Sequence, residues 1–335
     1  MPSTVPLSAP AAEGRGRARS HAQMHGLMLL ATFCWAANII AAKEALPGFG
    51  PLALAALRIV GAALLFAILF LARGKHLTFR LTARHWLVMT LLALSGVTFN
   101  QFFFIGGLAR TSVAHAGLIV AVGPVMVLVL SCLMRLEALT APKFVGMLIS
   151  FGGVAVLTTG KAGQGNGAFW VGDLLLLVGS VVFAYYTILM KEVADQYDAL
   201  TLNTLAFGVG TLFMVPFGTW WVLDVRWTAV SFHAWWGLAF MVVFGSVVPY
   251  LLFAIAMTEL TASRVAAFSY VQPVIATGLG IWLLGERLTL KIVLGGTLIL
   301  AGVYLTERER GEENREQGTG NREQGIGNRQ TKGIR

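Results

Sequence analysis

The side chains most able to take part in chemistry in this sequence are polar or aromatic groups set inside long apolar segments. Amides and tyrosine hydroxyls form hydrogen bonds with small polar molecules, and a histidine can also carry a proton. Such groups are costly in an apolar interior, so they are candidate contacts for a polar ligand. The candidates are Trp35, Asn38, Asn100, His115, Tyr185, Tyr250, Tyr270 and Gln272.

Most of these candidates also have a purely structural alternative. Asn38 can join two helices by a hydrogen bond, Trp35 can fill space, and tyrosines can form interfacial belts. Tyr250 and Tyr270 lie too deep in their segments for a belt, which favours a ligand contact for both. His115 can be a surface residue, a packing residue or a proton carrier, and the sequence leaves all three open.

Asn100 and Gln101 are neighbours in one apolar segment. Adjacent residues on a helix point about 100° apart, so we expect only one of the two amides to face a ligand. Asn100 shares the more polar stripe with Gly96 and Phe103, which makes it the better candidate.

Signatures of catalysis and of metal binding are missing from the sequence. It contains no His-Glu-x-x-His, no Gly-x-Ser-x-Gly and no pair of aspartates inside apolar segments. Cys34 and Cys132 both fall in apolar segments, which predicts neither a disulfide framework nor a metal site. We therefore expect no enzyme, no metal and no cofactor.

Composition places the chain in a lipid bilayer. Of its 335 residues, 56% are hydrophobic and 12% are charged, and the mean hydropathy is +0.73. Runs of about twenty apolar residues cross a bilayer core. The net charge of +9 would suggest nucleic acid in a water-soluble protein, but here the basic residues lie in loops and tails. They predict membrane topology and no nucleic-acid partner.

Apolar runs bounded by charges predict an all-α integral membrane protein with ten helices. The predicted helices are 24–43, 52–72, 86–108, 112–134, 142–159, 172–190, 200–222, 234–256, 261–284 and 291–306.

The chain contains an internal duplication. Pro124 precedes Glu137 by thirteen residues, and Pro273 precedes Glu286 by the same distance. Residues 86–154 align without a gap with 235–303 at an offset of 149, and upstream the offset is 148. Each copy holds five predicted helices, an odd number, so the second copy must enter the membrane in the opposite sense. Inverted repeats of this kind are typical of secondary transporters.

The duplicated prolines predict helix breaks. A proline in a helix frees the carbonyl four residues earlier, here those of Val120 and Ser269. A packing kink would explain either proline alone, but their equivalent positions favour a shared polar space between the repeats. Glu137 and Glu286 end the same helices beside basic residues, and we expect them to stabilise the helix hairpins structurally.

These boundaries divide the chain into five parts. They are a disordered tail at 1–23, a first repeat at 24–159, a linker at 160–171, a second repeat at 172–306 and a disordered, repetitive tail at 307–335.

The sequence resembles the drug/metabolite transporter superfamily, and within it the ten-helix exporters built from EamA domains. The resemblance rests on Trp35-Ala-Ala-Asn38, on Arg58 and on the pattern Pro-x12-Glu-x-Leu-Thr, which occurs twice. It covers about residues 24–306. It implies a carrier of the bacterial inner membrane that moves a small metabolite through a cavity between its two halves.

Substrate and coupling stay open at this stage. Arg58 lies near one end of its helix, where we expect it to extend toward the surface or to pair with Glu44 rather than to bind an anion. No Asp or Glu lies at the centre of a predicted helix, so a uniporter, an exchanger and a carrier that uses His115 all remain possible. The polar candidates suit neutral or zwitterionic metabolites, amino acids among them. Multidrug efflux is the alternative, and an intramembrane enzyme, a channel or a sensor is more remote.

The distribution of basic residues predicts the orientation of the chain. More lysines and arginines flank the predicted helices on the side of the amino terminus, which indicates that both termini are cytoplasmic. A homodimer remains open.

Overall fold

A computed structural model describes residues 21–75, 83–135, 139–158, 169–194, 196–259, 265, 268–302 and 304–305. Residues 1–20, the tail at 307–335, most of the linker and Glu137 lie outside these ranges, and helix α1 already begins at His21. Throughout the described ranges the regular structure is helical. Seven helices are long and apolar enough to cross a membrane, and three shorter helices are also apolar. Together they correspond to the ten predicted helices.

The first repeat contributes five of these helices, two of them interrupted. They are α1 (His21–Phe49), α2 (Pro51–Ala72), α3 (Ala83–Leu92, a π-helical turn at Ala93–Phe99, then Asn100–Leu108), α4 (Val113–Val120 and Gly123–Leu133) and α5 (Ala141–Thr158).

The second repeat has the same plan. Its helices are α6 (Phe169–Val193), α7 (Ala199–Leu223), α8 (Phe232–Val242, a π-helical turn at Val243–Val247, then Val248–Glu259), α9 (Val271–Leu284) and α10 (Leu290–Gly302).

Helix α1 ends later than the prediction at residue 43. It runs through Lys43 and Pro47 to Phe49, and Gly50 follows with a φ of 70°. The Gly50 N–H donates to the Leu46 carbonyl at 2.8 Å, closing the last turn. A glycine with positive φ is a strong helix stop. Gly50 therefore ends the helix, and Lys43 and Glu44 lie within its last turns.

The helix predicted at 261–284 is interrupted before Pro273. Val265 is helical, a 3₁₀ turn follows at Phe268–Tyr270, and the α-helix starts at Val271, two residues before the proline. Proline fits the first turn of a helix because the N–H it lacks has no partner there. The proline therefore lies in the first turn of a new helix.

Helix α4 is interrupted near Pro124. Its first segment ends at Val120, and the second begins at Gly123 with the proline in its first turn. Because Pro124 has no N–H, the turn that would bond to the Val120 carbonyl cannot form. The Met126 N–H donates instead to Val122 at 3.1 Å, which restarts the ladder.

The two halves interlock. Helix α1 packs along α8, α3 along α6, and α2 along α7, so the first helix of each repeat lies against the third helix of the other. Two glycine contacts repeat at the offset of 149. A Cβ on Gly153 would lie 2.7 Å from the Gly295 carbonyl oxygen, and one on Gly302 would collide with that of Gly146. A pseudo-two-fold axis relates these contacts and leaves the space between the halves for a site.

Candidate functional site

A cavity of about 140 Å³ lies between the two repeats. Helices α1, α2, α3, α4, α6 and α8 border it, together with the start of α9 and the segment that leads into it. It lies toward the end of the bundle where α1 begins and α4 ends, because Met28 and Val127 both line it. Most of its wall is apolar. The predicted residues that line it are Trp35, Asn38, Asn100, Pro124, Tyr250 and Gln272.

Two predicted cavity residues lie elsewhere. His115 is in the first turn of α4, beyond the described wall of the cavity, and pairs with Asp173. Tyr185 packs against the hydrophobic core beside the cavity-lining Ala184 but is not part of the wall. Helical periodicity predicts which face of a helix carries a residue but not which other helix packs against that face. The predictions for His115 and Tyr185 were wrong for this reason.

The other predicted positions are only partly described. Pro273 is buried, and its Cα would lie 3.5 Å from a Cβ on Gly117 of α4, so it marks a close contact between α9 and α4. The carboxylate of Glu286 accepts hydrogen bonds from Val113 N at 2.7 Å and Ala114 N at 3.0 Å, joining the end of α9 to the start of α4. The Tyr270 side chain and Glu137 lie outside the described part.

Arg58 lies inside the cavity wall, so the expectation that it reaches the surface or pairs with Glu44 is wrong. Its side chain is 2% exposed. Nε donates to Ser246 Oγ at 2.9 Å, and Nη2 donates to the Gly245 carbonyl at 2.6 Å. Among the described residues no carboxylate lies within ion-pair distance of it. Arg58 is the only charged residue in the described lining.

The π-helical turn of α8 explains why this arginine can be held there. A π-helical turn breaks the regular ladder, and such turns are frequent at functional sites. The Gly245 carbonyl within it accepts from Arg58. Any Cβ on Gly245 would collide with the amide of Asn38, so the glycine lets α1 and α8 approach closely enough to place Asn38 beside Arg58.

The matching π-helical turn of α3 holds Tyr250. The Tyr250 hydroxyl donates to the Gly96 carbonyl at 2.8 Å and accepts from Gln101 Nε2 at 3.2 Å. Both Asn100 and Gln101 line the cavity, so the expectation that only one of them does is wrong. The Gln101 side chain reaches Asn100 Oδ1 at 3.4 Å, which brings the two amides to one side despite their angular separation.

An aromatic cluster forms a second part of the wall, next to these amides. The Trp35 ring lies 6.1 Å from Phe183, 6.0 Å from Tyr250 and 5.8 Å from Phe253, measured between centroids. The first two contacts are edge-to-face, a favourable geometry for aromatic pairs. The cavity therefore combines one apolar, aromatic wall with one polar wall.

Three polar atoms on that polar wall have no hydrogen-bond partner within the described part of the chain. They are Arg58 Nη1, Asn38 Oδ1 and Gln101 Oε1. Leaving buried polar groups unpaired is costly, and these three atoms, one cationic donor and two acceptors, are all buried in the wall. Within the same ranges no group of three or more His, Cys, Asp or Glu side chains is placed to hold a metal ion.

Sequence reasoning missed one buried acidic residue. Asp173 lies in the first turns of α6 and is 0% exposed. It accepts from Thr111 Oγ1 at 2.6 Å and pairs with His115 at 3.0 Å. The signal in the sequence was a lone aspartate just inside the predicted start of an otherwise apolar helix. It was passed over because it is far from the helix centre.

Comparison with known proteins supports a transport role for this architecture. A protein of Archaeoglobus fulgidus named as a transporter is 29% identical over 85% of this chain and 98% of its own. A probable terminal-alkyne amino-acid exporter of Streptantibioticus cattleyicolor is 25% identical over 84% of this chain and 92% of its own. One crystal structure shares the fold, with a TM-score of 0.60 at 19% identity over 85% of this chain and 96% of the other.

The sequence model of the EamA-like transporter family matches the chain twice, once in each repeat, at residues 23–159 and 170–308. Both matches carry the interrupted helices that surround the cavity. The chain therefore belongs to the EamA-like transporter family.

Proposed function

We propose that this protein exports small zwitterionic metabolites, chiefly amino acids with apolar side chains, through the cavity between its repeats. The observation that carries the proposal is Arg58, a fully buried cation in the cavity wall with no carboxylate partner among the described residues. An unpaired charge in such surroundings is strongly unfavourable, and a substrate carboxylate would supply the missing countercharge.

The rest of the cavity complements the remainder of an amino acid. The acceptors Asn38 Oδ1 and Gln101 Oε1 have no partner and suit an ammonium group. The aromatic wall around Trp35 suits an apolar side chain. In the described lining no acidic side chain is present, which disfavours polycations. The relative named as a probable amino-acid exporter supports the same substrate class.

Transport by this proposal proceeds by alternating access. The cavity lies toward the end of the bundle where α1 begins, and polar contacts join the helices at the other end. We place the protein in the bacterial inner membrane with both termini in the cytoplasm, so that the cavity faces inward. One chain contains both repeats and the whole described cavity, and it is the transport unit. A homodimer would be a pair of such units.

Counterflow in proteoliposomes tests the substrate class. Vesicles loaded with unlabelled leucine should accumulate labelled leucine from outside. Leucine amide, which lacks the carboxylate, should compete at least about tenfold more weakly than leucine, because a charge-assisted hydrogen bond is lost. The compound 4-methylpentanoate lacks the ammonium group. Its competition with leucine therefore measures the contribution of Asn38 and Gln101 to binding.

Two results would contradict the proposal. Equal competition by leucine and leucine amide would remove the role of Arg58 in carboxylate recognition. Efflux of the cationic dye ethidium without counterflow of leucine would favour a multidrug carrier instead.

A further inference from the structure

A second cavity, of about 760 Å³, lies at the end of the bundle where α1 ends. It is bounded by the loop at 47–53, by the end of α3, by the start of α6, and by the end of α7 with the loop that follows it. Sites for small molecules have volumes of roughly 300–1,000 Å³, so this cavity is large enough for one. Among the described residues none lines both cavities, and the second cavity is therefore a separate site.

Helix α3 presents different faces to the two cavities. Phe102, Gly106 and Arg110 follow one another at intervals of four residues and line the second cavity. Asn100 and Phe104 line the first. Residues two apart on a helix point about 200° apart, so Phe102 faces away from both of them. A molecule in the second cavity therefore lies behind α3, outside the proposed route of the substrate.

Three charged side chains line the second cavity, namely Arg110, Asp224 and Arg226. Within the described part of the chain they form no ion pair with one another or with any other residue. Arg110 Nη1 donates to the Gly106 carbonyl at 2.8 Å, and its remaining N–H groups have no acceptor in the same ranges. Two basic residues and one acidic residue leave the lining with a formal charge of +1, which favours an anionic ligand.

Glycines on α3 and α6 position Arg110 at the cavity. A Cβ on Gly107 would lie 2.7 Å from the Gly172 carbonyl oxygen, and a Cβ on Gly172 would lie 3.0 Å from Arg110 Cβ. The two helices can approach this closely only because both positions lack a side chain. Arg110 is thus fixed over the start of α6 by backbone contacts, and its charge is left for a ligand.

Tryptophans place the second cavity at the level of the lipid headgroups. Trp221 lines the cavity and is 49% exposed. Trp227 stacks on Trp235 with ring centroids 5.9 Å apart, and both rings contact Phe49, another lining residue. Tryptophan is enriched where the hydrocarbon of a bilayer meets its headgroups. The charged side chains of the cavity therefore lie at a depth where phosphate groups are present.

The apolar part of the lining continues from this level into the hydrocarbon. Phe102 precedes Arg110 by eight residues, which corresponds to about 12 Å along a helix. The Phe102 ring is 39% exposed, and Leu175 of α6 lines the cavity beside it. Charge at one end and exposed apolar surface at the other match the two parts of a phospholipid.

We propose that the second cavity binds one anionic phospholipid, with its phosphodiester bonded to Arg110 and Arg226 and an acyl chain along Phe102. Arginine bonds phosphate oxygens with two N–H groups at once, and basic pockets between membrane helices bind anionic headgroups. Phosphatidylglycerol carries the single negative charge that balances the lining, and its hydroxyls can donate to Asp224. Phosphatidylethanolamine is zwitterionic and leaves the lining unbalanced.

The bound lipid would connect the two repeats. The second cavity takes its walls from α2 and α3 of the first repeat and from α6 and α7 of the second. A ligand that binds only the folded protein stabilises it, so the lipid should raise the melting temperature. This proposal does not depend on which substrate is carried.

Native mass spectrometry of the full chain in detergent tests the site with dioleoyl phosphatidylglycerol and dioleoyl phosphatidylethanolamine. The wild type should bind one phosphatidylglycerol at least about tenfold more tightly than phosphatidylethanolamine. Arg110→Gln and Arg226→Gln should each weaken phosphatidylglycerol binding by about tenfold or more, because a charge-assisted hydrogen bond is lost. Arg287→Gln is the matched control, since this exposed arginine lies at the same end of the bundle but outside the lining, and it should bind as the wild type does.

Thermal melts provide a second measurement. Added phosphatidylglycerol should raise the midpoint of the wild type and of Arg287→Gln, and should raise it less for Arg110→Gln and Arg226→Gln. Should one of these two variants fail to fold without lipid, the other decides.

Three results would overturn the proposal. Equal binding of the two lipids by the wild type would show that the headgroup charge is not recognised. The same loss of binding in Arg287→Gln as in Arg110→Gln would show general attraction to surface charge. Displacement of the lipid by an equal concentration of glycerol 1-phosphate would show a site for soluble phosphate esters. Transport of leucine enters none of these measurements, so the proposed function stands or falls separately.

Discussion

The Gln101 amide donates to the Tyr250 hydroxyl at 3.2 Å, and the two residues occupy the same position in the two repeats, 149 residues apart. Two equivalent residues contact each other only where they lie on the axis that relates the repeats. Ser150 and the Ile299 carbonyl repeat this relationship in α5 and α10, at 3.2 Å. The duplication therefore places two equivalent positions face to face, and the glutamine and tyrosine that occupy them make this contact asymmetric.

Substitution of Arg58 tests the binding role of the cavity. Arg58→Gln should lower leucine counterflow by at least about tenfold, because the only cation of the described cavity wall is lost. Arg58→Lys should recover little, since an ammonium group cannot reproduce the fork that bonds both Ser246 and Gly245. Arg287→Gln, in the loop between α9 and α10, is the matched control. Counterflow by Arg58→Gln at the wild-type rate would contradict the role.

The glycines of the two π-helical turns should tolerate no side chain. Gly96→Ala would drive a methyl group into Tyr186, and Gly245→Ala would drive one into Asn38. Overpacking of this kind costs about 1–3 kcal/mol. The controls are Gly152→Ala and Gly278→Ala, because a Cβ there has nothing within 4 Å. Thermal melts in detergent should show lower midpoints for the first two variants only, and equal midpoints for all four would contradict the packing.

The hydroxyls of Tyr250 and Tyr185 should differ in their contribution to stability and transport. Tyr250→Phe removes a donor to the Gly96 carbonyl and an acceptor for Gln101, and leaves Gln101 Nε2 with only its 3.4 Å contact to Asn100 Oδ1. We expect a loss of stability of about 1–3 kcal/mol and slower leucine counterflow. Tyr185→Phe, outside the described cavity wall, should leave both close to wild type. Slower counterflow in Tyr185→Phe than in Tyr250→Phe would reverse this assignment.

Asp198 should make stability depend on pH at the start of α7. Burial alone would raise the pKa of its carboxyl, but hydrogen bonds from Lys75 and Thr201, together with the Lys75 charge, bring the pKa below its usual value. The carboxylate also accepts from Leu200 N and Thr201 N, both at 3.2 Å, and caps the helix. A lowered pKa in the folded state contributes stability above the unfolded value, about 3.9. That contribution is lost as the pH falls through the folded value.

Asp198→Ala checks this dependence. At neutral pH it should destabilise the protein by about 0.5–2 kcal/mol, the usual cost of a lost cap. The difference from wild type should shrink as the pH is lowered below about 3.9, because the wild-type carboxyl then becomes protonated too. Asp198→Asn retains a capping oxygen and should fall between the two. A difference that grows on acidification would show that the carboxylate is not stabilising.

Much of the architecture followed from local patterns. The ten apolar helices and the interruption of α4 near Pro124 rest on hydrophobic run length and on the missing N–H of proline, which act within one segment. Trp35, Asn38, Asn100, Tyr250 and Gln272 could be nominated for the cavity because polar or large aromatic groups in apolar helices are costly unless they are used. Helix ends were less accurate, since Gly50 rather than Lys43 terminates α1.

The sequence by itself determined that this is a duplicated membrane protein built of apolar helices, because composition and periodicity report burial, and its family resemblance pointed to transport. Only the tertiary structure decided which helices meet. It moved Arg58 from the expected surface to the cavity by bonding it to a π-helical turn 187 residues away, and it joined His115 to Asp173 outside the cavity. Periodicity tells which face of a helix is buried, but the partner of that face is set by contacts between segments far apart in the chain.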